Sequence, residues 1–167
     1  KEYRRQRQMC IRDSTLSELT GHEILLKPEN LQVTGSFKIR GAYNKIASLS
    51  EEQIARGIVT ASAGNHAQGV AYAARERHAK ATICMPQITP PLKVDATKAY
   101  GADVVLYGDV FDEAAAHAAE LASTQGMIYV PPFDDYEVIC GQGTIGLEIL
   151  EDVPNVTDVV VPLGGGG

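Results

Sequence analysis

Several features that would assign a function class directly are missing from the sequence. No apolar run approaches the roughly 20 residues that a membrane-spanning helix needs, and the first residues lack the charged-then-apolar pattern of a secretory signal. Basic residues number 15 against 21 acidic ones, so the formal net charge is -6 and leaves no electrostatic footprint for nucleic acid or an anionic membrane. We therefore expect a cytoplasmic protein without nucleic-acid or membrane partners.

Cysteine and histidine are too sparse for a disulfide framework or a metal site. The three cysteines are widely spaced and form no CxxC pair. The four histidines show neither an HExxH motif nor a paired Cys/His spacing that would bind zinc. We expect reduced thiols and no metal bound by these residues.

What the sequence does contain is a regular alternation of short apolar runs and helical stretches. The runs HEILLK, GIVTAS, ATICMP, ADVVLYG, MIYV and TDVVVP are strand-like. The helical stretches are SFKIRGAYNKIASL, a short helix started by the capping box SEEQ, NHAQGVAYAARERH, PPLKVDATKAYG, FDEAAAHAAELASTQG and GQGTIGLEILED. Strands and helices that alternate every 20 to 25 residues or so predict parallel strands joined by crossover helices, and hence an α/β fold.

The two ends of the sequence differ in composition from its middle. The first thirteen residues, KEYRRQRQMCIRD, carry five basic and two acidic side chains, whereas the remainder holds ten basic and nineteen acidic ones. We interpret residues 1–13 as a non-native or disordered arm outside the fold; a loosely helical native arm is the alternative. The sequence closes on LGGGG directly after the last predicted strand, which we interpret as truncation.

One lysine occupies an unusual place among the predicted helices. In TGSFKIRGA at residues 34–42, Lys38 falls in the first turn of a helix, behind a Thr-Gly-Ser entry and beside an aromatic residue. A helix N-terminus carries about half a positive charge, so an ammonium group is disfavoured there. The position therefore suits a neutral amine.

A glycine motif near the end of the sequence resembles a nucleotide site only in its letters. GQGTIG at residues 141–146 matches GxGxxG, but the dinucleotide fingerprint also needs a preceding strand and an acidic residue about 20 positions on, after a second strand. Here YEVIC is a poor strand, and Asp158 precedes the next predicted strand. We predict that these glycines allow close helix packing instead.

Two loops after predicted strands have the composition of anion sites. SAGNHAQG at residues 62–69 follows IVTA and opens a helix, whose free N–H groups suit a carboxylate. The alternative is an ordinary N-cap by Ser62 or Asn65, with His66 on the surface. VVVPLGGGG at residues 159–167 could form a nest of amide groups for a phosphate, although an engineered linker would look the same.

Together, these motifs resemble the fold-type II pyridoxal phosphate enzymes, and most closely the threonine (serine) dehydratase family, over residues 15–167. The resemblance lies in KPENLQVTGSFKIRGA, TASAGNHAQGVAYAA, ITPPLKVDATKAYGADVVLYGDVFDEA, GQGTIGLEIL and PLGGGG, in family order and spacing. It implies a three-layer α/β/α fold with parallel sheets, like that of tryptophan synthase β. It also implies a large domain made of residues 14–56 and 134–167 and a small inserted domain at residues 57–133.

The resemblance assigns roles to individual residues. Lys38 would form the Schiff base with pyridoxal 5'-phosphate, Phe37 would lie against its ring, and Asn65 would bind its phenolic oxygen. The loop for the substrate carboxylate would consist of Ser62, Ala63, Gly64, Asn65 and His66. The phosphate cup would consist of Gly164, Gly165, Gly166 and Gly167.

The implied reaction is the dehydration and deamination of L-threonine to 2-oxobutanoate and ammonia, or of L-serine to pyruvate, by a homo-oligomeric enzyme. Related serine racemases place a second serine where this sequence has Ala63, and β-replacement relatives carry SGNTG where it has SAGNHAQG. A racemase or a β-replacement enzyme is therefore a weaker alternative. A different alternative is an inactive fragment that binds cofactor or amino acid only weakly.

Overall fold

The computed structural model describes residues 8–164 as an α/β protein. Its strands are β1 (Ile11–Arg12), β2 (Leu25–Leu26), β3 (Ile58–Ala61), β4 (Ala81–Met85), β5 (Asp103–Leu106) and β6 (Ile128–Tyr129). Its α-helices are α1 (Ser14–Thr20), α2 (Lys38–Ala47), α3 (Glu51–Ala55), α4 (Asn65–Glu76), α5 (Pro91–Lys98), α6 (Phe111–Gln125) and α7 (Tyr136–Asp152), and a 3-10 helix covers Glu29–Leu31. In this part of the chain, no helix combines the length and apolar character that crossing a membrane requires.

A four-stranded parallel sheet forms the centre of the fold. Its strand order is β5-β4-β3-β6, with Ile58 opposite both Ala81 on β4 and Ile128 on β6. Helix α4 packs on one face of the sheet and α6 on the other. This three-layer arrangement confirms the predicted α/β/α class and its parallel strands. The second sheet is different, because β1 and β2 pair antiparallel.

The central strand β3 is buried on both faces, which explains why its sequence is apolar except at Thr60. Ile58 belongs to the core cluster beneath α2, α4 and α5, whereas Val59 and Ala61 belong to the cluster beneath α6. Thr60 is also fully buried, and its hydroxyl donates a hydrogen bond to the carbonyl of Val130. Helices cover both faces of this strand.

Helix α2 lies between α4 and α7, and glycines allow both contacts. A Cβ on Gly141 would lie 2.6 Å from the Cα of Gly41 and 2.6 Å from the carbonyl oxygen of Arg40. This contact confirms the packing interpretation for Gly141. The packing interpretation does not hold for Gly143 or Gly146, where a Cβ would meet nothing within 4 Å.

The predicted strand TDVVVP is wrong. Residues 157–162 have no regular secondary structure, and Val160 is 96% exposed. A strand needs a neighbour to receive its backbone hydrogen bonds, and the sheets in the described part of the chain do not pair with this segment.

The exclusion of residues 1–13 from the fold does not hold for the end of that segment. Ile11 and Arg12 form β1, and the Asp13 carboxylate accepts a hydrogen bond from Leu16 N and caps α1. Residues 1–7 and 165–167 lie outside the described residues. The capping box predicted at Ser50 is present in full, with Ser50 and Gln53 each accepting from the other's backbone N–H.

Candidate active site

Lys38 is the first residue of α2, as the sequence predicts. Gly35, in the left-handed region at φ 72°, makes the turn before the helix, and Ser36 Oγ accepts from Lys38 N at 3.3 Å. The Lys38 Nζ donates to the carbonyl oxygen of Pro132 at 2.6 Å and lies 5.3 Å from the centre of the Phe37 ring. Burial lowers the pKa of Lys38 below its ordinary value, in the direction that the helix position predicts.

The loop after β3 leaves the start of α4 without a side-chain cap. Gly64 is the N-cap residue and offers no acceptor, while Ser62 Oγ instead accepts from Gly64 N at 3.2 Å. Asn65, the first residue of the helix, is exposed. The N-cap alternative for Ser62 or Asn65 is therefore wrong, and the positive end of a 12-residue helix is left open to an anion.

His66 is buried, with 3% of its surface exposed, so the surface placement in that alternative is also wrong. Its Nε2 lies 3.0 Å from the carbonyl oxygen of Val130. Because a carbonyl only accepts, Nε2 carries the proton and Nδ1 is left with a lone pair. Among the described residues, Nδ1 has no hydrogen-bond partner. The pKa of His66 is lowered to about 4, chiefly by burial. The hydrogen bond to Val130 acts to raise this pKa, and the charge of Lys38 acts to lower it.

The segment that follows β6 connects these groups. The Val130 carbonyl accepts from both Thr60 Oγ1, at 2.6 Å, and His66. Two residues later, the Pro132 carbonyl accepts from Lys38. No functional role was predicted for Pro131 and Pro132 from the sequence. The one feature of the sequence that could have indicated this segment is the pair of prolines directly after a strand.

A buried ion network behind Lys38 was not predicted. Arg40 is 2% exposed and donates to both carboxylate oxygens of Glu29 and of Glu148 at 2.7–2.8 Å. Burial by itself would lower the pKa of Arg40, but the bonds to Glu148 and Glu29 outweigh it and raise the pKa. Lys27 adds a second cation, 2.8 Å from Glu148. The network ties α2 to α7 and to the 3-10 helix.

The structure brings some predicted site residues together and leaves others untested. Lys38, Phe37 and His66 lie in one region with the loop residues that precede α4. Gly164 is exposed, and Gly165, Gly166 and Gly167 lie outside the described residues. The phosphate cup therefore stays a prediction.

Comparison with known proteins gives this arrangement a family. Residues 5–167 match the family model described as pyridoxal-phosphate dependent enzyme. The chain belongs to this family. Over 154 residues it is 61% identical to the L-threonine ammonia-lyase of Thermotoga maritima. The matched region makes up 92% of this chain and 38% of that protein.

Solved structures show the same family fold. Processed threonine deaminase isoform 2 from Solanum lycopersicum is 48% identical with a TM-score of 0.85, over 89% of this chain and 42% of that one. Serine racemase from Dictyostelium discoideum is 38% identical with a TM-score of 0.84, over 93% of this chain and 52% of that one. The chain thus spans about half the length of these relatives or less.

The residues present fit the cofactor that gives the family its name. An aldehyde cofactor needs an amine that is neutral near physiological pH, and burial moves the pKa of Lys38 in that direction. An anionic ligand needs unpaired donors, and the uncapped start of α4 offers them beside the buried His66.

Proposed function

We propose that this chain is part of a pyridoxal phosphate enzyme that dehydrates and deaminates L-threonine to 2-oxobutanoate and ammonia, and L-serine to pyruvate and ammonia. The names of the relatives support threonine as the substrate. The observation that carries the proposal is the half-buried Lys38 amine at the start of α2, with its pKa lowered and a helix N-terminus left uncapped nearby.

Each predicted site residue has a proposed task. Lys38 holds the cofactor and, once its amine is free, accepts the proton from Cα of the amino acid. The amide groups of Ser62, Ala63, Gly64, Asn65 and His66 bind the substrate carboxylate.

The remaining site residues orient the cofactor. Phe37 lies beside its ring, the Asn65 amide binds its phenolic oxygen, and the glycines at residues 164–167 bind its phosphate. When bound, pyridoxal phosphate supplies the electron sink for the carbanion at Cα. The chain's residues supply orientation and the proton acceptor.

Ala63 favours dehydration over racemisation. A racemase needs a proton-transferring group on each side of Cα, and the methyl group of Ala63 neither accepts nor donates a proton. This distinction matters because a serine racemase is among the structures similar to this chain. Ala63→Ser in the full-length protein is the variant expected to gain D-serine formation.

The larger-scale predictions remain proposals of the same kind. All strands of the parallel sheet fall between Ile58 and Tyr129, which supports an inserted small domain at residues 57–133. In the described part of the chain Cys10, Cys84 and Cys140 form no disulfide, in keeping with a cytoplasmic enzyme. We also propose that the full-length protein is a homo-oligomer.

The test is reduction of the full-length protein with borohydride in the presence of pyridoxal phosphate, followed by peptide mass spectrometry. We expect the adduct on Lys38 and 2-oxobutanoate from threonine, with both lost in Lys38→Ala. Lys45→Ala is the matched control, because Lys45 lies on the same helix but pairs with Asp135 at 2.7 Å. An adduct on another lysine, or full activity in Lys38→Ala, would refute the proposal.

The fragment alternative is settled by a second comparison. The 167-residue chain and the full-length protein are titrated with pyridoxal phosphate, and the imine absorption band is followed in each. Weak binding by the chain and tight binding by the full-length protein would assign catalysis to the longer polypeptide.

A further inference from the structure

Two sets of hydrogen bonds meet on the segment 130–132 that follows β6 in the central sheet. Thr60 on β3 and His66 on α4 both donate to the carbonyl oxygen of Val130, at 2.6 Å and 3.0 Å. All three residues are buried. At the other end of the same short segment, the carbonyl oxygen of Pro132 accepts from Lys38 Nζ at 2.6 Å.

The segment between these two carbonyls is stiff for a chemical reason. Pro131 and Pro132 each have φ fixed by the pyrrolidine ring, and neither has an N–H that could bond elsewhere. Residue 130 is also restricted because it precedes a proline. Fewer free torsions therefore separate the Val130 carbonyl from the Pro132 carbonyl than in an ordinary segment, so a displacement of the first is passed on at least in part to the second.

We propose that Thr60 and His66 are positioning residues for Lys38, acting through the segment 130–132. In this relay, they fix the Val130 carbonyl, the two prolines carry that constraint to the Pro132 carbonyl, and this oxygen holds the lysine amine. The inference rests on the proposed role of Lys38.

The relay accounts for a feature that packing alone does not explain. A buried neutral imidazole with Nδ1 unpaired is costly, and an apolar side chain would avoid that cost. Within the described residues, the bond from Nε2–H to the Val130 carbonyl is the one hydrogen bond of this ring, and Val130 begins the segment whose last carbonyl, that of Pro132, accepts from Lys38. The low pKa of His66 keeps the ring neutral, so that both its charge and its geometry are constant across physiological pH.

The test measures the pH profile of Lys38 in the cofactor-free full-length protein. Competitive acetylation at a series of pH values, with peptide mass spectrometry, gives an apparent pKa for Lys38 and for the exposed Lys93 as an internal reference. Thr60→Val removes one donor to Val130 and keeps the side-chain shape. His66→Asn removes the other donor, whereas His66→Gln retains an N–H at the Nε2 position.

Thr97→Val is the matched control for Thr60→Val. Thr97 is also buried, and its hydroxyl donates to a backbone carbonyl, that of Lys93, at 3.0 Å, but it lies on α5 outside the relay. Thr60→Ser, which keeps the hydroxyl, serves as the conservative rescue. Melting temperatures of all variants show which of them are folded under the labelling conditions.

We expect Thr60→Val and His66→Asn to release the Lys38 amine to solvent and raise its apparent pKa. Because only the neutral amine is acetylated, a pKa raised by about half a unit slows labelling about threefold at a fixed pH below the pKa. Thr60→Ser, His66→Gln and Thr97→Val should keep the wild-type profile. Lys93 should be unchanged in every variant.

Two results would overturn the inference. One is an unchanged Lys38 profile in folded Thr60→Val and His66→Asn. The other is a shift in His66→Gln or Thr60→Ser as large as that in the disrupting variants. Failure of the proposed function would be recognised independently of the pH profile of Lys38. In that case borohydride trapping would find no adduct on Lys38 of the wild-type protein.

Discussion

Gly41 on α2 and Gly141 on α7 lie in direct backbone contact. The Cα of Gly41 is 2.6 Å from the position that a Cβ on Gly141 would occupy, and the carbonyl oxygen of Val138 is 2.8 Å from the position of a Cβ on Gly41. Neither helix can carry a side chain here without moving the other. Because α2 begins at Lys38, this contact also fixes the helix that presents the lysine.

Gly141→Ala should therefore destabilise the protein. Overpacking typically costs about 1–3 kcal/mol, and here the atoms in the way belong to the backbone, which moves less readily than a flexible side chain. Gly143→Ala on the same helix is the control, since its Cβ meets nothing within 4 Å and alanine improves helix propensity by up to about 1 kcal/mol. Denaturant unfolding of both variants measures the difference; equal stabilities would contradict the contact.

Stability should fall with acid through His66. Its folded pKa of about 4 lies below its ordinary value of 6.5, so between these values the unfolded chain binds a proton that the folded chain does not. The stabilising contribution is present above pH 6.5 and is lost as the pH falls towards 4. Linkage gives a loss of about 2 kcal/mol between pH 7.5 and pH 5.0.

His66→Gln provides the reference for that measurement. Unfolding free energies of wild type and variant are compared at the two pH values, so that contributions from all other titrating groups cancel. The variant should lose about 2 kcal/mol less than wild type on acidification. An identical pH dependence would show that His66 is not buried in its neutral form.

Arg40→Met should be among the most damaging single changes in the chain. It leaves the partly buried carboxylates of Glu29 and Glu148 without the buried cation that they share, and breaking a buried pair costs about 3–5 kcal/mol. Arg56→Met removes an exposed i,i+4 pair with Glu52 and should cost less than about 0.5 kcal/mol. Thermal and denaturant unfolding check both values, and a small effect at Arg40 would mean that the network relaxes.

Gly69→Ala should disturb Lys38 more than it disturbs stability. A Cβ on Gly69 would lie 3.3 Å from the backbone carbon and oxygen of Lys38, so α4 and α2 must separate by a few tenths of an ångström. We expect slower pyridoxal phosphate addition to Lys38 in the full-length protein, with little change in melting temperature. Gly146→Ala, whose Cβ meets nothing within 4 Å, should leave the addition rate at the wild-type value.

The strands and helices that pack against the central sheet follow directly from the sequence. The strand in GIVTAS was predicted from its short apolar run, and the helix around Lys38 from apolar positions that recur on one helical face; burial in the core favours both elements. The strand predicted in TDVVVP was wrong because β-branched residues favour extended backbone but cannot supply a pairing partner.

The site was predictable only where a short motif carried it. Lys38 was identified by its place in a helix, and the loop at residues 62–69 by its place after a strand. The contacts of Lys38 with Pro132 and of His66 with Val130 join residues 94 and 64 positions apart. No local pattern encodes which carbonyl a side chain reaches at that separation, because the register of β6 beside β3 decides it.

The strand order β5-β4-β3-β6 has a consequence for how such a site can change. From β3 the chain moves to β4 and β5 on one side, and it then returns to place β6 on the other. The strand order therefore reverses at β3, and the loops that follow β3 and β6 lie side by side at the carboxyl ends of these strands. Residues at this edge belong to connections, so evolution can exchange them while the strand ladder beneath is preserved.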